Sequence, residues 1–241
     1  MSLLNEYNKI ADLYNKSHTK PDKFFSILPT VLDIMKNFKN PKVITDLGCG
    51  DGYFTFPIAE MFPNAQIIGI DNSTSQINNA HLNLEKFSSK NISFNEKDIF
   101  KDEIKKSDII VAPFIFGYCN KEHLTDFLVN LKNSLNTNGL LVIVLDDPKG
   151  IDNSKFGARK NINKEMIDIE LYTDGQEKLP TLHAFYHEPL LFLQQLKEIG
   201  FTNIKVHTPI ISEKGIETYG QDWWHNYQYN SELCYISCSN L

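Results

Sequence analysis

Arginine is nearly absent from this sequence, and negative charge exceeds positive charge. Arg159 is the only arginine, so bidentate binding of a carboxylate or phosphate by a guanidinium has a single candidate. The formal net charge of -6 argues against a protein held on nucleic acid by broad phosphate neutralisation, while leaving room for a local basic groove. We therefore expect no DNA partner, and an RNA partner is disfavoured.

Cysteines are few, and long apolar runs are missing. The four cysteines form neither a Cys-x-x-Cys pair nor a zinc-type spacing, so reduced thiols are expected and disulfides are not. Apolar runs such as 140–145 fall far short of the roughly 20 residues that span a bilayer. The first residues lack a basic region followed by an apolar stretch. These features predict a cytoplasmic protein without a targeting segment or a membrane span.

The apolar pattern changes from helical spacing to short β-branched runs near residue 42. Residues 1–40 have helical periodicity, and the following stretch alternates short apolar runs with amphipathic segments, as in a parallel sheet covered by helices. The predicted strands are 42–47, 66–70, 91–95, 107–112, 139–145, 201–207 and 232–238. The predicted helices are 53–62, 73–88, 121–135 and 188–199, the last one stopped by Gly200.

Between the fifth strand and the last helix the alternation breaks. A polar stretch runs to Asn163, and two β-type segments, 165–172 and 179–186, follow on either side of Asp174-Gly175. This arrangement predicts an inserted β-hairpin.

A glycine-rich loop follows the first predicted strand, in the run Asp46-Leu-Gly48-Cys49-Gly50-Asp-Gly52. Glycines at a strand-to-helix turn allow positive φ and close approach of the backbone to a ligand. A dinucleotide fingerprint needs its third glycine at position 53, which is Tyr53. That spacing disfavours an NAD-dependent dehydrogenase.

Two further acids follow the next two strands. Asp71 ends the second strand, where an ionised carboxylate is able to accept from two hydroxyls of a ligand, and Asp98 follows the third. For each acid the alternative to binding a ligand is a structural role. Asp71 would then be a helix N-cap residue, and Asp98 would be an ordinary acid in a turn.

The pattern Asp-x-Gly-x-Gly-x-Gly resembles the first motif of class I S-adenosylmethionine-dependent methyltransferases. The order of elements, and the segment from Pro180 to Gly200-Phe201, resemble the small-molecule type found in ubiquinone and menaquinone biosynthesis. The resemblance implies an α/β, Rossmann-like three-layer sandwich. Its sheet is seven-stranded and mostly parallel with an antiparallel last strand, and it carries an N-terminal helical extension and an inserted β-hairpin.

The resemblance also implies one domain with four parts and a set of site residues. The parts are a helical lid or extension (1–40), a cofactor-binding core (42–146), a substrate-side insertion (147–187) and the C-terminal part of the sheet (188–241). The cofactor-binding residues implied for S-adenosylmethionine, with S-adenosylhomocysteine as product, are Tyr14, Asp46, Gly48, Cys49, Gly50, Gly52, Asp71, Asn72, Asp98, Ile99, Ala112 and Pro113. The alternative for Tyr14 is helix packing, and Cys49 is expected to pack as a small apolar residue.

The residues expected around the methyl acceptor give a less specific sequence signal than the glycine loop does. The fourth strand ends in Ala112-Pro113-Phe114, without the polar residue that enzymes methylating base amines carry there. Asp146-Asp147 matches only one of two acids needed for a magnesium site, so no metal is predicted. His183 and His187 are candidate general bases, and each has packing in a polar pocket as its alternative. Aromatic residues at 219–229 are predicted to border the acceptor pocket or to close the core or a homodimer face.

These observations predict methyl transfer from S-adenosylmethionine to a small-molecule acceptor, with an O, N or C nucleophile, by direct in-line displacement. Two alternatives remain. An RNA-modifying methyltransferase predicts a clustered lysine face, whereas the lysines here are scattered. A non-catalytic S-adenosylmethionine-binding protein predicts no enclosed acceptor cavity.

Overall fold

The structure is a computed structural model that describes residues 20–87, 89–149, 152–172, 178–225 and 227–241. Its strands, in chain order from β1 to β10, are Val43–Leu47, Gln66–Asp71, Ile92–Glu96, Ser107–Pro113, Leu135–Asp146, Ala158–Asn163, Met166–Leu171, Leu182–Phe185, Thr202–His207 and Leu233–Ser239. Its α-helices, from α1 to α7, are Leu28–Met35, Thr55–Met61, Thr74–Leu84, Lys121–Ser134, Pro189–Ile199, Glu213–Tyr219 and Tyr227–Asn230. A π-helical segment, Lys23–Ile27, leads directly into α1, and short 3-10 turns lie at Ile115–Tyr118 and Ser154–Phe156.

Seven strands form one sheet in the order β3-β2-β1-β4-β5-β10-β9. β1 pairs in parallel with both β2 and β4, and β10 is antiparallel to both β5 and β9. The predicted fold class is therefore confirmed. Because the strand order reverses direction between β1 and β4, a crevice opens at the carboxyl ends of these two strands, where open α/β sheets bind ligands.

Apolar residues cover both faces of the sheet, which makes three layers. On one face, Leu128 and Leu131 of α4 and Leu196 of α5 are fully buried against the sheet. On the other face, Val31 of α1 and Ile58 of α2 are also fully buried. Each fully buried aliphatic side chain contributes roughly 1.5 to 3 kcal/mol of transfer free energy. The central strands are apolar on both faces because helices cover both of them.

Local sequence signals set the helix ends that position the site. The Ser73 side chain accepts a hydrogen bond from the Gln76 amide and begins α3, close to the end of β2. Glu188 caps α5, and Gly200 ends it with φ +89°. The predicted stop at Gly200 is therefore confirmed.

The insertion after β5 forms a separate antiparallel sheet in the order β6-β7-β8. The pairing of β7 with β8 confirms the predicted hairpin, whose turn at Asp174-Gly175 lies outside the described residues. The end of the polar stretch, for which the sequence predicts no element, forms β6 and pairs with β7. The hydrophobic alternation is hidden there because Lys160 occupies a buried position of the strand.

Two further expectations concern the N-terminal extension and membrane spans. Residues 1–19, which include Tyr14, lie outside the described residues. Within the described part of the chain, no helix combines the length and the apolar character needed to cross a bilayer.

Candidate functional site

The glycine loop folds back onto the end of β2. Gly48 and Cys49 both donate their amides to the Ile70 carbonyl, at 2.8 and 3.0 Å. Gly48 has φ +68°, and a Cβ atom there would lie only 2.6 Å from Cγ2 of Ile115. A side chain at position 48 is therefore excluded by conformation and by the turn that follows β4.

Gly50 leaves the next part of the loop open. It has φ +56°, and a Cβ atom added there would meet nothing nearer than Gln76, at 4.0 Å. The loop thus presents backbone rather than side chain at this position, which lets a ligand approach closely.

Asp71 connects the loop to the next helix. One carboxylate oxygen accepts from the Gly50 amide at 2.9 Å, and the other accepts from the Ser73 amide at 2.9 Å. Burial raises the pKa of Asp71, while these backbone hydrogen bonds oppose the rise. Since each carboxylate oxygen has two lone pairs, Asp71 keeps acceptor capacity for a ligand's hydroxyl groups.

Asp46 lies beneath the loop and is completely buried. Its Oδ2 accepts from the Thr55 hydroxyl at 2.6 Å, whereas Oδ1 has no hydrogen-bond donor among the described residues. Burial raises the pKa of Asp46 to about 7, and the Thr55 hydrogen bond only partly opposes this. The residue fixes the start of α2 against the loop, and its side chain does not line the cavity above.

A cavity open to solvent lies over the carboxyl ends of β1, β2, β3 and β4. We call it the loop cavity. Seven of the residues predicted to bind a cofactor line it, namely Gly48, Cys49, Gly50, Asp71, Asn72, Ile99 and Pro113. The structure therefore brings together predicted residues from four separate strand ends.

Four other predicted cofactor residues lie outside the lining. Gly52 ends the loop and donates its amide to the Cys49 carbonyl at 3.0 Å, and Ala112 is fully buried within β4. The Asp98 carboxylate accepts from the Phe100 amide at 3.0 Å and pairs with Lys101 at 2.7 Å, while its neighbour Ile99 lines the cavity. The fourth predicted residue outside the lining is Asp46, which lies beneath the loop.

Several lining residues were not predicted from the sequence: Lys23, Asp51, Tyr53, Phe54, Gln76, Phe100, Phe114, Ile115 and Tyr118. Asp51 and Tyr53 had a signal in the sequence, because they lie within or next to the loop. Gln76 had one too, since it follows the N-cap of α3 by one helical turn. Lys23 had none, because it lies 23 residues before Asp46, where the loop begins.

The lining fits an adenine nucleoside. Oε1 of Gln76 is buried and has no donor among the described residues, so it can accept a ligand N–H or O–H. Ile99 and Phe100 supply apolar surface for a flat ring, and Asp71 supplies acceptors for a sugar. Gly50 supplies the space that a Cβ atom would occupy.

Phe114 adopts a strained backbone at the end of β4. Its φ of 64° and ψ of 0° lie in the left-handed region, which costs a non-glycine residue roughly 1 to 2 kcal/mol. Its amide donates to the Val144 carbonyl at 3.0 Å. Such conformations persist where the surrounding structure enforces them, and they cluster at ligand sites.

A second cavity adjoins the first, between the insertion sheet and the main sheet. We call it the insertion cavity. Lys23, Phe114 and Tyr118 line both cavities, so they form the junction between them. The Lys23 ammonium lies 4.7 Å from the centre of the Tyr53 ring, and burial, followed by the nearby Lys20, lowers the Lys23 pKa to about 7.

The two candidate histidines lie outside both cavities. Nε2 of His187 lies 2.9 Å from the Phe116 carbonyl and 2.8 Å from the Cys119 carbonyl, so it is the protonated nitrogen and donates to this turn. Burial lowers the pKa of His187. His183 is half-exposed and pairs with Asp168 at 2.7 Å. His187 thus holds the turn that carries Phe114 and Tyr118.

Two other groups discussed from the sequence have structural partners. Trp224 and Tyr227 pack with Phe156 in a separate aromatic cluster and line neither cavity. Asp146 forms an ion pair with Lys160, and within the described ranges no three His, Cys, Asp or Glu residues converge as a metal site requires.

A glycine loop at the switch point of a Rossmann-like sheet defines a nucleotide-binding α/β protein. Residues 38–182 match the family model described as a methyltransferase domain, which is more than half of the chain. The chain therefore belongs to this family, and the resemblance to class I S-adenosylmethionine-dependent methyltransferases is confirmed.

Three relatives illustrate the similarity. Malonyl-[acyl-carrier protein] O-methyltransferase of Halalkalibacterium halodurans is 31% identical, over 85% of this chain and 83% of that protein. Carboxy-S-adenosyl-L-methionine synthase of Idiomarina loihiensis is also 31% identical, but over 50% of this chain, which spans only 51% of that relative. The structure of Haemonchus contortus phosphoethanolamine N-methyltransferase 2 with S-adenosyl-L-methionine has a TM-score of 0.67 at 12% identity, covering 100% of this chain and 60% of that one. At such identity the likeness extends to the fold.

Proposed function

We propose that this chain transfers the methyl group of S-adenosylmethionine to a small-molecule acceptor. The observation that carries the proposal is the meeting of the glycine loop and Asp71 at one cavity, which opens into a second cavity at Lys23, Phe114 and Tyr118. The second cavity favours an enzyme over a protein that only binds the cofactor, because binding alone requires no acceptor space. The name of the Halalkalibacterium relative, an O-methyltransferase, supports methyl transfer as the reaction.

The residues of the loop cavity each have a task in holding the cofactor. Asp71 accepts the two ribose hydroxyls with the lone pairs that Gly50 and Ser73 leave unused. Ile99 and Phe100 contact the adenine ring, and Gln76 accepts one of the cofactor's donors. The bound cofactor supplies a methyl group activated by its positively charged sulfur.

The residues at the junction position the acceptor and exclude water. Phe114 and Tyr118 give an aromatic lining where the two cavities meet, and an aromatic face stabilises a neighbouring sulfonium charge. Holding the acceptor in line with the methyl group in such a site provides most of the rate enhancement that in-line displacement needs. Since neither His183 nor His187 lines these cavities, we assign neither a catalytic role.

Calorimetric titration tests the cofactor. The full chain is expected to bind S-adenosylmethionine and S-adenosylhomocysteine, and not NAD. Asp71→Asn is expected to weaken binding of S-adenosylhomocysteine by about 1.5 to 3 kcal/mol, because hydrogen bonds to a charged acceptor are lost. Asp33→Asn, at an exposed residue of α1, is the matched control and should bind like the unmodified protein.

An analogue of S-adenosylhomocysteine without the ribose hydroxyls separates direct contact from damage to the loop. The unmodified chain should bind the analogue more weakly than S-adenosylhomocysteine, whereas Asp71→Asn should bind both with similar affinity. Equal losses in the two proteins would refute the role of Asp71. Preference for NAD would refute the proposed function.

A further inference from the structure

One short turn after β4 supplies residues to both cavities. It consists of residues 114–118, and we call it the junction turn. Phe114 and Tyr118 lie at its two ends and line the loop cavity and the insertion cavity alike. Ile115 packs against the glycine loop, because its Cγ2 would lie 2.6 Å from a Cβ atom at position 48. The position of this turn therefore shapes the linings of both cavities.

The insertion sheet and the residues that follow it hold the junction turn through two contacts. Nε2 of His187 donates to the Phe116 carbonyl at 2.9 Å and to the Cys119 carbonyl at 2.8 Å, so one imidazole holds the turn at two points. Between these points, β8 packs so closely on Gly117 that a Cβ atom there would lie 2.9 Å from Cβ of Ala184. We call the His187 hydrogen bonds and the Gly117–Ala184 contact the clamp.

His187 is itself fixed by its neighbours in the chain. The preceding residue, Tyr186, donates its amide to the Glu165 carbonyl at 2.8 Å, between β6 and β7. The following residue, Glu188, caps α5 by accepting from two amides of its first turn. His187 is also buried, with 6% of its surface exposed. The imidazole is therefore a fixed donor that ties the junction turn to the insertion sheet.

Resting on the proposed function, we infer that His187 is a positioning residue for methyl transfer, and that the clamp sets where Phe114 and Tyr118 meet the sulfur end of the cofactor. The adenine end lies elsewhere in that binding mode, at Ile99 and Phe100 beyond β3. A shift of the junction turn should therefore disturb the sulfur end and leave the adenosine end in place. His187 acts through the turn and takes no part in the chemical step.

Calorimetry with two ligands separates the two ends. S-Adenosylhomocysteine fills the whole cofactor site, whereas adenosine lacks everything beyond the ribose. His187→Leu should weaken binding of S-adenosylhomocysteine by about tenfold and change adenosine binding by less than about twofold, because both carbonyls lose the imidazole donor and the turn is free to shift. His187→Gln should bind both ligands like the unmodified chain, since its side-chain amide has two N–H donors at a similar reach.

His207→Leu is the matched control. Nε2 of His207, in β9, lies 2.7 Å from the Ser237 hydroxyl, and His207 lines neither cavity. This variant also loses a histidine hydrogen bond, so it should lower the free energy of unfolding without changing the affinity for either ligand.

The contact at Gly117 tests the clamp independently and decides the matter if His187→Leu does not fold. Gly117→Ala inserts a methyl group between the turn and β8, and should weaken binding of S-adenosylhomocysteine several-fold with adenosine binding unchanged. The double variant Gly117→Ala/Ala184→Gly moves that methyl group from one side of the contact to the other. It should restore the affinity for S-adenosylhomocysteine.

Three results overturn the inference: unchanged affinity for S-adenosylhomocysteine in His187→Leu and Gly117→Ala, equal losses for S-adenosylhomocysteine and adenosine, or a loss in His207→Leu as large as that in His187→Leu. The unmodified chain keeps the two proposals apart. If it binds S-adenosylhomocysteine and the variants show no selective loss, only the positioning role fails. If it does not bind S-adenosylhomocysteine, the proposed function fails.

Discussion

Asp46→Asn is expected to make the protein more stable at neutral pH and above. Asp46 is fully buried, and its pKa in the folded protein is about 7, compared with an ordinary value of 3.8. The folded protein therefore holds this proton more tightly than the unfolded chain does. The stability that this carboxyl contributes is fully present below about pH 4 and is lost as the pH rises to about 7, because the unfolded chain then releases the proton while the folded protein keeps it.

The size of the effect follows from the difference between the two pKa values. A difference of about 3 units, at about 1.4 kcal/mol per unit, corresponds to about 4 kcal/mol at pH 8. Asparagine has the shape of the neutral acid and cannot ionise, and its oxygen can still accept from Thr55. Its amide nitrogen takes the place of an oxygen that lacks a described partner, and any cost of this is the same at all pH values.

Urea unfolding at several values between about pH 4 and pH 8 measures the free energy of unfolding of both proteins. The advantage of Asp46→Asn over the unmodified chain should grow by about 4 kcal/mol across this range. Asp33→Asn, at the surface, should stay within about 0.5 kcal/mol of the unmodified chain throughout. If the curves for Asp46→Asn and the unmodified chain run parallel, Asp46 is ionised in the folded protein and the reasoning about its burial is refuted.

Two further predictions concern β4. Asp108 accepts from the amides of Lys42 and Val43, at 2.6 and 3.0 Å, and from Asn136 at 2.8 Å; burial alone would raise its pKa, but these hydrogen bonds lower it. Asp108→Asn should therefore lower the free energy of unfolding by about 1 kcal/mol at pH 7, given the partial exposure of Asp108, and by less as the pH falls below about 4. Urea unfolding at several pH values measures this, and a loss of stability that does not depend on pH would contradict the prediction. At Phe114, glycine should be about 1 kcal/mol more stable than alanine, because only glycine tolerates φ 64° without strain. Thermal unfolding of Phe114→Gly and Phe114→Ala compares the two, and a more stable alanine variant would show that the left-handed conformation is not retained.

The loop cavity was largely predictable because its residues follow a rule of sheet geometry. The carboxyl ends of neighbouring parallel strands meet at one edge, so Gly48, Asp71 and Ile99 had to converge once the strands were recognised. Asp98 shows the limit of the same reasoning. Its position after β3 was correct, but only tertiary geometry determines that its carboxylate bonds Phe100 and Lys101 rather than lining the cavity.

The insertion cavity was not predictable, because its residues have no shared pattern in the sequence. Lys20 and Lys160 are far apart in the chain, and a lysine in a strand ordinarily indicates a solvent-exposed position. Lys160 is buried because Asp146, at the end of β5, compensates its charge. Likewise, the role of His187 depends on two backbone carbonyls, which no side-chain pattern encodes.

The two cavities are built from different stretches of the chain, and this has an evolutionary consequence. Apart from Lys23, the described residues that line the loop cavity fall within 48–118, whereas half of those that line the insertion cavity come from 158–184 and residue 233. Under the proposed function, mutations in the insertion sheet would alter the acceptor and leave the nucleotide site unchanged. A duplicated gene for such a protein could then acquire a new substrate by small steps, each of which leaves the cofactor site functional.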